Sequence, residues 1–273
     1  MDVLICHDNP DNSMTDGVPL KHTFDHIAKR YNAVRPRYPD ALISKLVHVT
    51  ALSPGARLLE IGPGTGQATK GIAAYGFDIT AIELGPQLAA VARAELQSFP
   101  NVSIITGAFE EIPLSDNAFD LVFAATAIHW IASDARYAKP HRILKPNGYL
   151  AIIETHHVSD EHGDGFFEAS QPLFDRYQFS KPGERPPMSN TIQPAAIENS
   201  LFTLTSFHSF PMEVIYSASA FIDLLGTYSN LLAATQERRE SLLSEIRELI
   251  NDHFQGKVTK QFLMSLTIAQ RKA

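Results

Sequence analysis

Cysteine is nearly absent from the sequence, and its scarcity limits both the covalent chemistry and the compartment of the protein. Cys6 is the only cysteine among the 273 residues, so no disulfide can form within the chain. Proteins without disulfides are typical of reducing compartments. Residues 1–17 contain neither a basic segment nor a long apolar one, so we expect no secretory signal and a cytoplasmic location.

Long apolar runs and clusters of basic residues are missing as well. No run approaches the roughly 18 apolar residues of a membrane span, so we expect no membrane partner. The 23 Lys and Arg residues are outnumbered by 30 Asp and Glu residues, which gives a formal net charge of −7. Because nucleic-acid-binding surfaces are rich in positive charge, we expect no nucleic-acid partner either. A small-molecule partner and association into a homo-oligomer stay open.

Apolar residues are plentiful, and their arrangement indicates an α/β fold. They make up 44% of the chain, which is enough for a sizeable core. Short apolar or β-branched runs alternate with stretches long enough for helices, and this pattern predicts a doubly wound sheet of mostly parallel strands. The runs that we predict to be buried strands lie at 57–62, 78–84, 101–107, 119–126 and 148–155.

Helices and strands are also predicted on both sides of this region. Two N-terminal helices are separated at Arg35–Pro36, because a residue before proline avoids the helical conformation. The predicted helices lie in 24–47 (two), 166–177 (one) and 218–253 (two, amphipathic), and further strands lie in 201–216 and 257–270. We expect one domain overall, with a flexible N-terminus at 1–20, cap helices at 21–50, a ligand-binding core at 51–155, and a substrate loop, the last strands and a helical cap at 156–273.

The stretch "LLEIGPGTGQATK", residues 58–70, lies where a doubly wound sheet binds its ligand, at the carboxyl end of the first strand. Glycines there let the backbone turn sharply and approach a ligand, while the following helix offers free N–H groups. Their spacing is G-x-G-x-G (Gly62, Gly64, Gly66), whereas dinucleotide-binding turns have G-x-G-x-x-G. This spacing, with Pro63, argues against a pyrophosphate ligand.

Two glutamates narrow the identity of the ligand. Glu83 ends the second predicted strand, 23 residues after Glu60, where a carboxylate can accept both hydroxyl protons of a ribose. Hydrogen bonds to a charged acceptor contribute about 1.5–3 kcal/mol each. Glu60, inside the glycine turn, favours a positively charged amine and would repel a phosphate. A ribose diol and an amine without a pyrophosphate together point to S-adenosylmethionine.

Several motifs at these positions resemble those of the class I S-adenosylmethionine-dependent methyltransferases, in particular the methyltransferase type 11 group. The matching segments are "LLEIGPGTGQ", "AIELGPQL", "GAFEEIPLSDNAFDLVFAATAIHW" and "RILKPNGYLAI". The segment "FDHIAKRYNAVRPRYP" and the elements after residue 216 are similar to a subgroup that includes trans-aconitate methyltransferase-like proteins. The resemblance implies a Rossmann-like, seven-stranded sheet with an antiparallel last strand. It also implies in-line methyl transfer to an oxygen, nitrogen or carbon of a small molecule, such as a natural product or a carboxylate.

The resemblance further implies which residues hold the cofactor. Leu84 and Phe109 would contact the adenine, Ala125 and Thr126 would lie under the sulfonium, and Arg35 would pair with the methionyl carboxylate. Family members often have Asp where this chain has Ala108, so Glu110 or water takes that adenine contact, or the contact is missing. The implied cofactor residues are Glu60, Gly62, Gly64, Gly66, Glu83, Leu84, Ala108, Phe109, Ala125, Thr126 and Arg35.

Candidate acceptor residues follow the fourth and fifth predicted strands and the N-terminal helices. His129 is the first candidate for a catalytic base and His156 the second, and the resemblance places Tyr31 over the methionyl group. The residues predicted to bind the acceptor are Trp130, Tyr38 and His157. The alternative for His129 and Trp130 is a packed tryptophan beside a hydrogen-bonded histidine.

A metal site and two other functions are alternatives to methyl transfer. Adjacent histidines on a loop rarely give a closed coordination geometry, so we expect no metal at Glu154, His156, His157, Asp160 and His162. The segment "AATAIHW", 124–130, lacks the Asn/Asp-Pro-Pro-aromatic motif of enzymes that methylate nucleic-acid amines. An NAD-dependent oxidoreductase on the same fold and a non-catalytic S-adenosylmethionine-binding protein stay open as alternatives.

Overall fold

Strands and helices alternate along much of the described part of the chain. A computed structural model describes residues 14–15, 18–19, 24–159, 164–180 and 186–273. Its strands are β1 Met14–Thr15, β2 Val18–Pro19, β3 Arg57–Ile61, β4 Asp78–Glu83, β5 Val102–Thr106, β6 Phe119–Ala125, β7 Leu144–His157, β8 Phe202–Ser217 and β9 Lys257–Arg271. Its helices are α1 Ala28–Val34, α2 Asp40–Thr50, α3 Gln67–Ala73, α4 Pro86–Glu95, α5 Ala138–Ile143, α6 Phe166–Arg176, α7 Ala218–Leu225, α8 Ser229–Leu232 and α9 Gln236–His253.

The strand order explains where the sheet can bind a ligand. In the described residues the large sheet has seven strands in the order β5-β4-β3-β6-β7-β9-β8. Strand β3 pairs in parallel with both β4 and β6, with Glu60 opposite Ala81 on one side and Phe123 on the other. The chain therefore reverses its direction of progress across the sheet beside β3, and the last strands are antiparallel. The predicted doubly wound, Rossmann-like, seven-stranded sheet is confirmed.

Strand β7 begins before the strand predicted at 148–155 and includes the turn-forming segment "KPNGYL", 145–150. Residues 145–148 form part of β7, but Asn147 has a left-handed φ of 64° and the pairing with β6 shifts register between Phe119 and Leu121. The turn is therefore a bulge inside a longer strand. Of the predicted flexible stretch, only β1 and β2, which pair antiparallel, fall within the described residues.

The chain divides into two compact units. The sheet unit comprises Arg37–Thr155, Gln193–Phe210 and Met264–Ala273. The helical unit comprises Met1–Pro36, His156–Ile192 and Pro211–Leu263. None of the helices that the structure describes combines the length and the hydrophobicity needed to span a bilayer.

The sheet unit has a core built from the inner strands. Strands β3 and β6 are buried on both faces, because in a doubly wound sheet helices cover both sides. Leu59, Val122 and Ile152 contribute to one cluster with Phe109 and Ile128 from the connecting segments. The same loops that follow the strands are thus anchored in the core.

The helical unit has a separate core, and one of its predicted helices is broken. Leu224, Leu231, Leu242 and Ile246 are fully buried in it. The first of the two helices predicted in 218–253 is not continuous, since α7 ends at Leu225 and α8 begins at Ser229. Gly226 lowers the helix propensity, and the Thr227 hydroxyl donates to the Leu224 carbonyl at 2.6 Å, satisfying an end of α7.

Truncation of Leu224 tests this second core. Leu224→Ala should lower the free energy of unfolding by about 2–5 kcal/mol, because it removes buried methyl groups and leaves a cavity. Ile215→Ala is the control, since Ile215 is 65% exposed, and it should change stability by no more than about 0.5 kcal/mol. Urea denaturation measures both; equal effects would contradict the assignment of Leu224 to the core.

Candidate functional site

The glycine turn connects β3 to α3 with a backbone that requires glycine. Gly62 has a φ of 64°, and a Cβ atom there would lie 2.7 Å from the Ala127 Cβ atom. Any side chain at this position would therefore clash as well as strain the backbone. Gly66 precedes α3 with a φ of 84°, and its N–H donates to the Pro63 carbonyl at 2.9 Å. The turn is tight and brings the start of α3 close to the end of β3.

Glu83, the last residue of β4, ties the glycine turn to the next turn of the sheet. Its carboxylate accepts from the Gly64 N–H through Oε2 and from the Gly85 N–H through Oε1, both at 2.8 Å. Only 5% of Glu83 is exposed. Bonds from backbone N–H groups to a carboxylate are charge-assisted, so they fix both turns and the carboxylate itself.

Glu60 is the second-last residue of β3, just before the glycine turn, and it is completely buried. Its Oε2 accepts from the Thr69 hydroxyl at 2.5 Å, whereas its Oε1 has no hydrogen-bond partner among the described residues. Burial, together with the negative charge of Glu83 and against the Thr69 bond, raises the pKa of Glu60 to about 8. Glu60 is therefore mostly protonated at neutral pH in the structure as it stands.

A second buried polar atom, the Thr65 hydroxyl oxygen in the glycine turn, has no hydrogen-bond partner among the described residues. Thr65 is 1% exposed. An unpaired buried polar group costs about 1–3 kcal/mol. The Glu60 and Thr65 oxygens thus suit a polar ligand, and the Glu60 carboxyl suits one that carries positive charge.

Thr126 follows β6 in a strained conformation. Its φ of 54° is rare for a β-branched residue. The conformation is held by its N–H, which donates to the Ile153 carbonyl at 2.7 Å, and by its hydroxyl, which lies 3.3 Å from the Tyr38 hydroxyl and 3.4 Å from that of Thr155. Strained residues of this kind concentrate at functional sites. Ala125, before it, ends β6 opposite Ile153.

The loop after β5 contains the predicted adenine contacts. Phe109 is 3% exposed, whereas Leu84, which follows β4, is half-buried. The Glu110 Oε1 atom accepts from the Ala132 N–H at 3.1 Å. Glu110 is the residue that could make the adenine contact which Ala108 cannot make. One of its carboxylate oxygens is already bonded to the loop after β6.

His129 and Trp130 lie on a short 3-10 helix, Ile128–Trp130, after β6. Both side chains are half-buried, and their rings are 4.8 Å apart at an angle of 49°. Arg136 donates from Nη2 to the His129 carbonyl at 3.1 Å and to the Ile131 carbonyl at 2.9 Å. Arg136 thus fixes the backbone of the turn that carries His129 and Trp130, and this backbone sets the position of the two rings.

Arg35 and Tyr31 belong to the helical unit. The Arg35 guanidinium lies between the rings of Tyr31 and Tyr228, 4.9 Å from each centroid. It also donates from Nε to the Thr227 hydroxyl at 2.9 Å and from Nη2 to the Thr227 carbonyl at 2.8 Å. The stacking and the two bonds fix the orientation of the guanidinium. Its predicted pairing with a carboxylate stays a prediction.

The two histidines that end β7 are buried. His156 is 8% exposed and His157 1%, and the His157 ring packs 5.2 Å from the rings of both Tyr228 and Phe262. Two of the candidate metal ligands in the sequence, Asp160 and His162, lie outside the described residues. Over the part of the chain that the structure covers, no group of three His, Cys, Asp or Glu residues could hold a metal.

Several residues of the site were missed by sequence reasoning. Lys139 and Arg136 hold carbonyls of the loops after β5 and β6, but in the sequence they are ordinary basic residues of a helical segment. Nothing in the sequence distinguishes Thr69 from the other residues of α3, although its hydroxyl bonds to Glu60. The structure joins the predicted Gly64 and Glu83 by a hydrogen bond, and Glu60 lies near enough to Glu83 for that charge to raise its pKa.

The sequence of the sheet unit matches a known family. Residues 59–152 match the family described as Methyltransferase domain. This segment of the chain therefore has the sequence of a methyltransferase domain. The chain is 27% identical over 238 residues to a protein named uncharacterized methyltransferase from Mycobacterium tuberculosis, covering 85% of this chain and 86% of that protein.

Two solved structures have a similar fold. One is assigned as a type II methyltransferase from Anaeromyxobacter dehalogenans, with a TM-score of 0.59 and 23% identity, covering 86% of this chain and 97% of that one. The other is the cyclase SpnF, with a TM-score of 0.55 and 17% identity, covering 93% of this chain and 96% of that one. At these identities both bear on the fold alone.

The prediction of a class I methyltransferase is thereby confirmed. The matches do not resolve the trans-aconitate methyltransferase-like subgroup, and they leave the acceptor undetermined. Membership in this family implies S-adenosylmethionine as the methyl donor. The unpaired Glu60 and Thr65 oxygens and the Glu83 carboxylate are polar groups that fit the ammonium and ribose of this cofactor.

The protonation of Glu60 gives a testable pH dependence of stability. Its folded pKa of about 8 lies above the ordinary 4.5, so between these values the folded state binds more protons than the unfolded one and stability falls as pH rises. Glu60→Gln removes this loss while keeping an acceptor for Thr69. Urea denaturation should show the variant gaining on the wild type by up to about 1.4 kcal/mol per pH unit in that window. Parallel pH profiles would contradict a buried, protonated Glu60.

Proposed function

We propose that the protein transfers the methyl group of S-adenosylmethionine to an oxygen, nitrogen or carbon nucleophile of a small molecule. The observation that carries the proposal is the buried Glu83 carboxylate, fixed by the Gly64 and Gly85 N–H groups at the end of β4. A fixed carboxylate at this end of the sheet is suited to a ribose diol. The absence of a dinucleotide glycine spacing in "EIGPGTG" supports a cofactor without a pyrophosphate.

Glu60 and Thr65 are the proposed contacts of the methionyl end. A ligand ammonium beside Glu60 would favour the ionised carboxylate and would pair with the Oε1 atom that lacks a partner in the described residues. Thr65 offers a hydroxyl in the same turn. The glycines at 62, 64 and 66 let the backbone approach the ligand. Leu84 and Phe109 are proposed for the adenine.

The floor of the proposed site is Ala125 with Thr126. When bound, S-adenosylmethionine supplies a methyl group on a positively charged sulfonium. Thr126 is held rigidly by Tyr38, Ile153 and Thr155, so the residues at the end of β6 keep a fixed position. Rigid positioning matters here, because alignment of the reacting atoms can contribute about 7–11 kcal/mol.

A general base is an addition to this alignment, not a requirement. Base catalysis typically contributes about 10²–10⁴-fold. We propose His129 as the base and Trp130 as an acceptor contact, because the backbone of their turn is held by Arg136. Tyr31, Tyr38, His156 and His157 stay proposals for the acceptor side. Arg35 stays a proposal for a ligand carboxylate.

Removal of the Glu83 carboxylate tests the cofactor site. Glu83→Ala should weaken the binding of S-adenosylhomocysteine by at least about tenfold, because two charge-assisted bonds to the ribose are lost. Isothermal titration calorimetry measures the affinity. Glu248→Ala, on the exposed face of α9, is the matched control and should bind as the wild type does. Wild-type affinity in folded Glu83→Ala would refute the assignment.

Removal of the His129 ring tests the proposed base. Incorporation of labelled methyl groups from S-adenosylmethionine into a metabolite extract, with mass spectrometry of the product, first identifies the acceptor. His129→Ala should then slow turnover by about 10²–10⁴-fold while leaving cofactor affinity intact. His48→Ala, at an exposed position of α2, is the control. Unchanged turnover would eliminate the base role, and no transfer by the wild type would favour a non-catalytic binding protein.

A further inference from the structure

The ammonium group of Lys139, on α5, gathers three backbone carbonyls of one loop. It donates to the Glu110 carbonyl at 3.1 Å, to the Ile112 carbonyl at 2.6 Å and to the Phe109 carbonyl. An ammonium has three donors, so these three bonds use its full capacity. Lys139 therefore holds the loop and is not a group that a ligand could recruit without breaking it.

The same loop is fixed by two further contacts. The Lys139 Nζ atom lies 4.8 Å from the centroid of the Phe109 ring, which is within the range of a cation–π interaction. On the other side, the Glu110 carboxylate accepts from the Ala132 N–H at 3.1 Å. The loop thus has a determined backbone conformation although it contains no regular secondary structure.

The bonds to the carbonyls of this loop set the directions of two N–H groups, one through Lys139 and one through the loop's own backbone. In a trans peptide the N–H points opposite to the C=O. Because the Phe109 carbonyl points at Lys139, the Glu110 N–H points away from it. The Ala108 carbonyl accepts from the Glu111 and Ile112 N–H groups, at 3.0 and 3.2 Å, so the Phe109 N–H points out of the loop.

We propose that Lys139 is a positioning residue for recognition of the adenine base. It holds the Glu110 N–H toward the base and fixes the loop in which the bonds of the Ala108 carbonyl direct the Phe109 N–H, at a site where Ala108 offers no polar side chain. The proposal rests on the proposed function, since it takes the loop after β5 to be the adenine side of the cofactor site. Base recognition in this chain then depends on backbone donors that a distant lysine holds in place.

This arrangement discriminates between bases by hydrogen-bond polarity. Adenine has an acceptor at N1, whereas hypoxanthine has an N–H donor there. A backbone N–H fixed toward N1 pairs with adenine and is left opposed to a donor in hypoxanthine. A buried donor without a partner corresponds to a loss of about 5- to 100-fold in affinity. Release of the loop from Lys139 would let it adapt to either base.

The test compares two ligands and two lysine variants. Calorimetry measures the affinities of S-adenosylhomocysteine and of its inosine counterpart for the wild type, Lys139→Met and Lys145→Met. Lys139→Met should reduce the preference for adenine by at least about fivefold. Lys145→Met is the control, because it also removes one positive charge. Among the described residues, the hydrogen bonds of the Lys145 ammonium go to the Asp120 carboxylate alone. The preference of Lys145→Met should equal that of the wild type.

The outcomes separate this inference from the proposed function. An unchanged preference in folded Lys139→Met would show a merely structural role and overturn the inference. Failure of the wild type to bind either nucleoside would instead refute the proposed function. Should Lys139→Met not fold, amide hydrogen exchange in the wild type decides. Methylthioadenosine should slow exchange at the Phe109 and Glu110 amides, and unchanged exchange at both would overturn the inference.

Discussion

The position of β3 between two parallel neighbours is the constraint on which the site depends. Parallel pairing on both sides aligns the carboxyl ends of β3, β4 and β6, so the residues that follow these strands meet at one edge of the sheet. Glu60, Glu83 and Thr126 lie at these ends, although they are far apart in the sequence. A slip of β3 by one residue would turn the buried Glu60 to the opposite face and remove the glycine turn from Glu83.

Charged groups bonded to the backbone then fix the loops around that edge. The Glu83 carboxylate takes N–H groups from two turns, whereas Lys139 and Arg136 take carbonyls from the loops after β5 and β6. Loops usually have the freedom to vary, but each of these is held by charge-assisted bonds from a neighbouring segment. The sheet unit therefore holds the edge that we propose for the cofactor in a defined conformation.

The fold was largely predictable because its signals are local. The alternation of apolar runs and the break at Arg35–Pro36 depend on neighbours in the sequence, and both agree with the structure. The spacing of Glu60, the glycines and Glu83 likewise carried the cofactor class. The break between α7 and α8 was missed, because a helical stripe of leucines continues across Gly226 and Thr227. Lys139 and Thr69 were missed since their partners are remote, and no pattern in the sequence marks them.

The buried Glu60 carboxyl gives the proposed cofactor site a group that can release a proton. It holds its proton up to about pH 8, because burial away from water disfavours the ionised carboxylate. A ligand ammonium beside it would reverse that preference, and the proton would leave as the ligand arrives. Binding of a cationic nucleoside would then release acid into the buffer and would strengthen as the pH approaches 8 from below. A neutral Glu60 thus avoids the repulsion that its own negative charge would meet from the buried Glu83 carboxylate.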